Sequence, residues 1–193
     1  MRVLLNLVPF ILLACTAPAP ADNVPVQDSV PVTATTTAAD TVPHTLLPSP
    51  DPQHINTGTV NPTDLIAYAK TLQGIPYKYA STDPAQGFDC SGFITYVFNH
   101  FNIAVPRSSV DFTNVEREVP LSEAKPGDLV LFTGTDSTIR VVGHMGILTT
   151  AANGTYEFIH STSGKFYGVT ITPLSAYYFG RFVKVVRVFP QND

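Results

Sequence analysis

Apolar positions in the first half of the chain recur at helical spacing. In "NPTDLIAYAKTLQG" the residues Leu65, Ile66, Ala69 and Leu72 form one stripe, which predicts a helix capped by Asn61 or Thr63 and ended at Gly74. In "DCSGFITYVFNHF" the residues Phe93, Ile94, Val97, Phe98 and Phe101 fall at spacings of 1, 3, 1 and 3, which predicts a second helix that starts near Asp89 or Cys90 and buries that face. A short third helix is expected from Ser108 or Ser109, after the extended "VPR". The period then changes. The stretches "DLVLFT", "HMGILTT", "TYEFIH", "GVTITP" and "RFVKVVRVF" are short, rich in β-branched and aromatic residues, and bounded by turn residues. Helices followed by a run of strands predict an α+β domain with an antiparallel sheet of about five strands, and the second helix should pack on that sheet.

The first 60 residues have a different character. "MRVLLNLVPFILLAC" is a basic start followed by an apolar stretch, too short to span a bilayer and of signal-peptide size. Its end, "LLAC", resembles the lipobox of bacterial lipoproteins, which implies cleavage before Cys15 and lipidation of its thiol. Residues 16 to 62 hold nine of the seventeen prolines, four aspartates and no Lys or Arg, a composition that cannot build a core. The expected organisation is a signal peptide over 1–15, a tether over 16–60 and a folded domain over 61–190. His44 and His54 are expected to be solvated. "DSV" and "DTV" are similar to acceptor motifs for O-glycosylation, at Ser29 and Thr41. Thr16 after Cys15 lacks the aspartate of inner-membrane retention signals, which favours the outer membrane, facing the periplasm, within a bacterial cell envelope.

Charge adds little: 13 % of residues are charged, the net charge is −4, and no Lys/Arg cluster offers a phosphate footprint, so nucleic acid is not an expected partner. The cysteines matter more. With Cys15 acylated, Cys90 has no intramolecular partner in an oxidising compartment. A buried, inert thiol is the default reading. Against it stands the position: a helix N-terminus favours an anion and lowers a thiol pKa, and Ser91 and Gly92 leave room beside it. A nucleophilic thiol also needs a base. His100 lies at the far end of the same helix; His144 and His160 lie on strands. A two-residue Asn153-Gly154 turn would put those two on opposite faces of a hairpin. A three-residue loop Ala152-Asn153-Gly154, pairing 151 with 155, or an equivalent bulge, puts them on one face as diagonal neighbours. One of these two, the odd-numbered loop or an equivalent bulge, is the expectation. Zinc held by Cys90, His144 and His160 is chemically conceivable but ranks last, and no cofactor is expected.

These segments resemble the NlpC/P60 cysteine peptidases of bacterial cell walls, which have a papain-like core. "DCSGF" is similar to the family's nucleophile motif, "HMGI" to its histidine motif and "FIHST" to the element that carries its third polar residue; "VPRSS" and "AKPGDLVLF" also match. The resemblance implies Cys90 as nucleophile, His144 as the base of a thiolate–imidazolium pair and His160 as the residue that orients His144. It implies an oxyanion site at the Cys90 N–H with Tyr77, for which Tyr79 is the rival. It implies that Asp89 and Ser91 bind the amino end of a peptide, a role that competes with helix capping. Ser108 and Ser109 would line the cleft or cap the third helix, and Arg107 would offer a charge to substrate or form a surface ion pair. The implied reaction is cleavage of a D-γ-glutamyl–diamino acid bond in peptidoglycan stem peptides, by an enzyme held at the membrane by a lipid anchor and open to control by a regulatory envelope protein. An amidase or acyltransferase on another amide or ester, and a catalytically silent envelope-binding protein, remain open. "TGTDSTIRVVG" is a long lead-in to His144 and a candidate lid.

Overall fold

The structure, a computed structural model, describes residues 53–193. The apolar start, the lipobox, Cys15 and the acceptor sites Ser29 and Thr41 lie outside the described residues. Helix α1 spans Pro62–Thr71. Its cap is Asn61, whose side chain accepts from the Thr63 N–H, and proline occupies the first helical position, where no donor is needed. Strands β1 (Thr82–Asp83) and β2 (Gly87–Phe88) form a small antiparallel ribbon that leads into α2 (Cys90–His100). The third helix is a 3₁₀ segment, Ser109–Asn114, and the Ser108 side chain makes no capping bond.

Six strands form the main sheet: β3 (Arg117–Val119), β4 (Leu129–Thr133), β5 (Val142–Ala152), β6 (Thr155–Thr162), β7 (Gly168–Pro173) and β8 (Phe182–Arg187), with a short helix α3 (Ala176–Arg181) before the last. The order is β3-β8-β4-β5-β6-β7 and every pairing is antiparallel. The sheet therefore has one strand more than expected. The extra strand, "REV", is short and mostly exposed, so it carries no apolar alternation to betray it. The chain is also not a simple meander, because β8 returns to lie between β3 and β4.

Central position makes β4 buried on both faces. Leu129 and Leu131 join the core beneath α1 and α2, together with Phe93, Val97, Phe98, Met145 and Ile147. Val130 and Phe132 point the other way and meet Leu148, Phe158 and Tyr178. The stripes expected on the helices are the ones buried: Leu65, Ile66, Ala69 and Leu72 on α1, and Phe93, Ile94, Val97 and Phe98 on α2. Phe101 is only half-buried, in an edge contact with Tyr68.

Packing begins earlier than position 61. Ile55 is 2 % exposed and belongs to the helix-side core. Gln53 donates its N–H to the Asn114 carbonyl and accepts from the Glu116 N–H, and the Ile55 N–H is bonded by the Glu116 carboxylate. Residues 53–60 are thus part of the folded unit and not tether. A single large apolar residue among Pro, Thr and Asn carries no periodicity, which is why the composition did not mark it. His54 is exposed, and its Nδ1 lies 2.8 Å from the Glu116 carboxylate.

One buried ion pair ties the two ends of the sheet-forming half together. Asp128 is fully buried, receives Nε and Nη2 of Arg187 at 3.2 and 3.0 Å, and also accepts from the Lys125 N–H at 2.8 Å and from Asn192 at 3.3 Å. Every acceptor lone pair has a donor, so the pair is tolerated; removing one partner strands a buried charge. Asp128→Ala should cost about 3–5 kcal/mol, read as a lower urea midpoint at unchanged slope. A midpoint equal to that of the parent would show that this network does not hold the sheet.

Candidate active site

Asp89 caps α2 by accepting from the Gly92 N–H, and this places Cys90 at the first helical position. Gly92 is required there because an added Cβ would lie 2.1 Å from the Ser81 carbonyl oxygen; the first turn of the helix rests directly on the preceding loop. Cys90 is half-buried and unpaired, and its Sγ lies 3.9 Å from the carbonyl oxygen of Gly143, the residue before His144.

The hairpin that carries the two histidines reaches the expected arrangement by the second of the two expected routes. The turn has two residues, since Ala152 pairs with Thr155, and Asn153 and Gly154 both have positive φ (52° and 76°), as a tight hairpin turn demands. A shift between Leu148 and Thr150 then changes the parity, so that Leu148 pairs with Phe158 and Ile147 with Ile159. The bulge, and not a three-residue loop, turns both rings to one face. Gly146 leaves space for the second ring: a Cβ there would lie 2.6 Å from Phe158 and 3.2 Å from the Cβ of His160.

The rings meet. His144 Nε2 lies 2.8 Å from His160 Nδ1, and His160 Nε2 lies 2.9 Å from Thr172 Oγ1 on β7. If His144 is to accept a proton at Nδ1, its Nε2–H donates to His160 Nδ1, and the Nε2–H of His160 donates to Thr172. The chain of bonds is self-consistent with both rings neutral. Thr172 was not singled out by sequence, because a threonine in "GVTITP" reads as an ordinary strand residue; only the β6–β7 register reveals it. The rings Phe132, Phe158 and Tyr178 pack around the pair. Both ring nitrogens of His160 are engaged, one by His144 and one by Thr172. Among the described residues no group of three or more His, Cys, Asp or Glu side chains is arranged to hold a metal ion.

Two cavities meet at Cys90 and Gly143. One, of ≈ 560 Å³, contains His144, Thr172, Tyr178, Lys165 and Arg181 along its walls. The other, of ≈ 510 Å³, runs between Tyr79, Asp89, Ser91, Arg107, Ser108 and Ser109. Tyr77 borders both and its ring packs edge-on against Tyr167, whereas Tyr79 is 81 % exposed. Arg107 holds Asp89 through both nitrogens, at 3.1 and 2.8 Å, and reaches Ser91 Oγ at 3.0 Å, so the arginine is tied to the residues flanking the thiol. His100 is remote from this cluster and stacks on Tyr68, with ring centres 3.6 Å apart. The lead-in to β5 is pinned: Arg181 bonds the carbonyls of Thr133 and Gly134, and Arg140 bonds those of Gly180 and Phe182.

The helix start does not lower the thiol as expected. Burial and the Asp89 carboxylate push Cys90 up to about 11, against the opposing N–H groups of Ser91, Cys90 and Met145. Burial, with the Arg181 charge behind it, pushes His144 down to about 3, and the same causes together with His144 hold His160 well below the usual imidazole range. Each direction favours the neutral form, so the resting pair is thiol and imidazole. Alkylation of Cys90 by iodoacetamide follows the thiolate. With the pKa raised, that fraction is small at neutral pH and grows as pH rises towards about 11. The labelling rate should climb steadily from pH 6 to 10 without an acid-side plateau. A plateau with a midpoint below 7 would mean a preformed thiolate–imidazolium pair.

A sequence profile of the NlpC/P60 family matches residues 74–188. A gamma-DL-glutamyl hydrolase of Bacillus subtilis is 34 % identical over 124 residues, 64 % of this chain and 29 % of that protein. A probable endopeptidase, an NlpC homologue of Haemophilus influenzae, is 34 % identical over 109 residues, 56 % of this chain and 52 % of that one. The chain thus spans between about a third and a half of these relatives' lengths. Among solved structures, an NlpC/P60 family protein from Bacillus cereus superposes with a TM-score of 0.61 at 30 % identity, over 69 % of this chain and 42 % of the other. The NlpC/p60 domain of the peptidoglycan hydrolase SagA gives 0.53 at 26 % identity, over 66 % of this chain and 99 % of that domain.

Proposed function

This chain belongs to the NlpC/P60 family, and from that premise we propose that it is a cysteine peptidase that cuts the D-γ-glutamyl–diamino acid bond of peptidoglycan stem peptides. The observation that carries the reading is the 2.8 Å ring-to-ring contact of His144 and His160, at a cleft that also contains an unpaired thiol on a helix start. The names of the relatives, a gamma-DL-glutamyl hydrolase and endopeptidases, support the bond type.

In the proposed reaction the Cys90 sulfur adds to the amide carbonyl carbon as its proton passes to His144 Nδ1. Neutral partners are suited to this: neither charge has to persist in a buried site before substrate arrives, and both arise together as the C–S bond forms. The oxyanion is met by the Cys90 N–H at the open end of α2, with Tyr77 beside it. Burial and the neighbouring Cys90 raise the Tyr77 pKa, which keeps its hydroxyl protonated as a donor. His144 then delivers the proton to the leaving nitrogen as the C–N bond breaks, and the acyl group remains on sulfur. A water adds to the thioester, gives its proton to His144, and collapse returns the thiol and releases the γ-carboxylate. His160 holds His144 by its Nε2–H throughout, and Thr172 holds His160 in the tautomer that can accept that bond.

Asp89 and Ser91, tied by Arg107, are assigned to the amino end of the substrate, and Ser108 and Ser109 to the wall next to it. Capping and binding do not compete at Asp89, because Oδ1 serves the Gly92 N–H while both oxygens face Arg107. The address in the cell envelope, with lipid on Cys15 and a tether leading to the outer membrane, is proposed from the sequence of residues 1–52 alone.

Purified sacculi incubated with the wild-type domain should release peptides that begin with the freed amino group of the diamino acid, leaving L-Ala-D-Glu with a free γ-carboxylate on the glycan, and Cys90→Ala should release none above background. Cleavage by Cys90→Ala would end the assignment. Fragments cut at a different amide would favour the amidase reading, and no fragments from the wild type would favour the silent envelope-binding protein.

A further inference from the structure

The two halves of the cleft carry different charge. On one side Asp89 is the acid and Arg107 neutralises it within the wall. On the other side the lining residues include Lys165 and Arg181 and no carboxylate. Arg181 is 8 % exposed. A guanidinium this buried is ordinarily paired with an acid. Among the described residues Arg181 has none: Nε donates to the Gly134 carbonyl, Nη2 to the Thr133 carbonyl and Nη1 to the Tyr177 hydroxyl, each at 2.8 Å. These acceptors are neutral. Three of its five N–H donors are used, which fixes the plane of the group and leaves its charge uncompensated. Lys165 stands at the rim of the same cavity with no ion-pair partner among the described residues.

His144 lines this half and not the other. The group that protonates a leaving amine must stand next to it, so the departing amino acid occupies the His144 side. We infer that this half is a carboxylate-binding subsite, in which Arg181 and Lys165 receive a free carboxylate of the departing diamino acid. The inference rests on the peptidase reading above and adds a substrate class to it. Stem peptides whose diamino acid carries free carboxylates are favoured over those in which they are amidated. A carboxylate supplies the countercharge that the fold withholds from Arg181, and a charge-assisted bond is the strong kind.

The test uses three soluble tripeptides, L-Ala-γ-D-Glu-diaminopimelate with both diaminopimelate carboxylates free, with one amidated and with both amidated. For the wild-type domain kcat/KM should fall about tenfold or more from the diacid to the diamide. In Lys165→Ala and Arg181→Gln that ratio should shrink, because the diacid rate falls further than the diamide rate. Lys165 is exposed, so its variant guards against a folding defect in the other. Cys90→Ala, which cannot turn over, should still bind the diacid about tenfold more tightly than the diamide by calorimetry. Equal cleavage and equal binding of the three peptides would overturn the subsite and leave the peptidase reading standing. Selective binding by a protein that cleaves none of them would keep the subsite and end the peptidase reading. Neither selectivity nor cleavage would end both.

Discussion

A single hydrogen bond between two imidazoles, His144 Nε2 to His160 Nδ1, constrains the site more than any other contact. It requires two residues sixteen apart to face the same way from adjacent strands. A tight two-residue turn forbids that, and the β5 bulge restores it by changing the parity of one strand. It also requires space, supplied where Gly146 lacks a side chain. A third group must then hold the second ring, and Thr172 does so from the next strand over. Three strands of the sheet thus converge on one tautomer. Helix α2 answers from the opposite direction by placing Cys90 at the junction of the two cavities.

Burial sets the electrostatic character of this arrangement. The aromatic wall of Phe132, Phe158 and Tyr178 keeps both imidazoles neutral, and the thiol is held protonated against its own helix start. The macrodipole is worth a fraction of a kcal/mol to about 2 kcal/mol at a helix end, and here desolvation and the Asp89 charge exceed it. A neutral resting pair leaves no standing thiolate, the form most open to oxidation.

Much of this was legible from residue order. The helical stripes on α1 and α2 and the positions of β4 to β8 follow from periodicities that burial enforces, and strand parity admits His144 and His160 on one face. What was not legible depended on geometry without a local pattern. Strand β3 is too short and too exposed to alternate. Ile55 joins the core from within a Pro- and Thr-rich stretch that has no period. Residue order did not choose between a three-residue loop and a bulge, because Asn-Gly satisfies a two-residue turn and the compensating bulge at Thr149 has no residue signature. Thr172 and Arg181 become meaningful only once distant elements are brought together. The direction of the thiol's shift needed burial, which a helix-start argument does not contain.

Orientation of the first ring by the second is what the proposed chemistry requires. The most direct measurement is kcat for hydrolysis of L-Ala-γ-D-Glu-diaminopimelate by His160→Asn and His160→Leu, with folding checked by thermal melting. An amide oxygen can still accept from His144 Nε2–H, and an apolar side chain cannot. The asparagine variant should keep most of the wild-type rate, and the leucine variant should lose about a hundredfold or more at similar KM. A leucine variant that turns over at the wild-type rate would contradict the account.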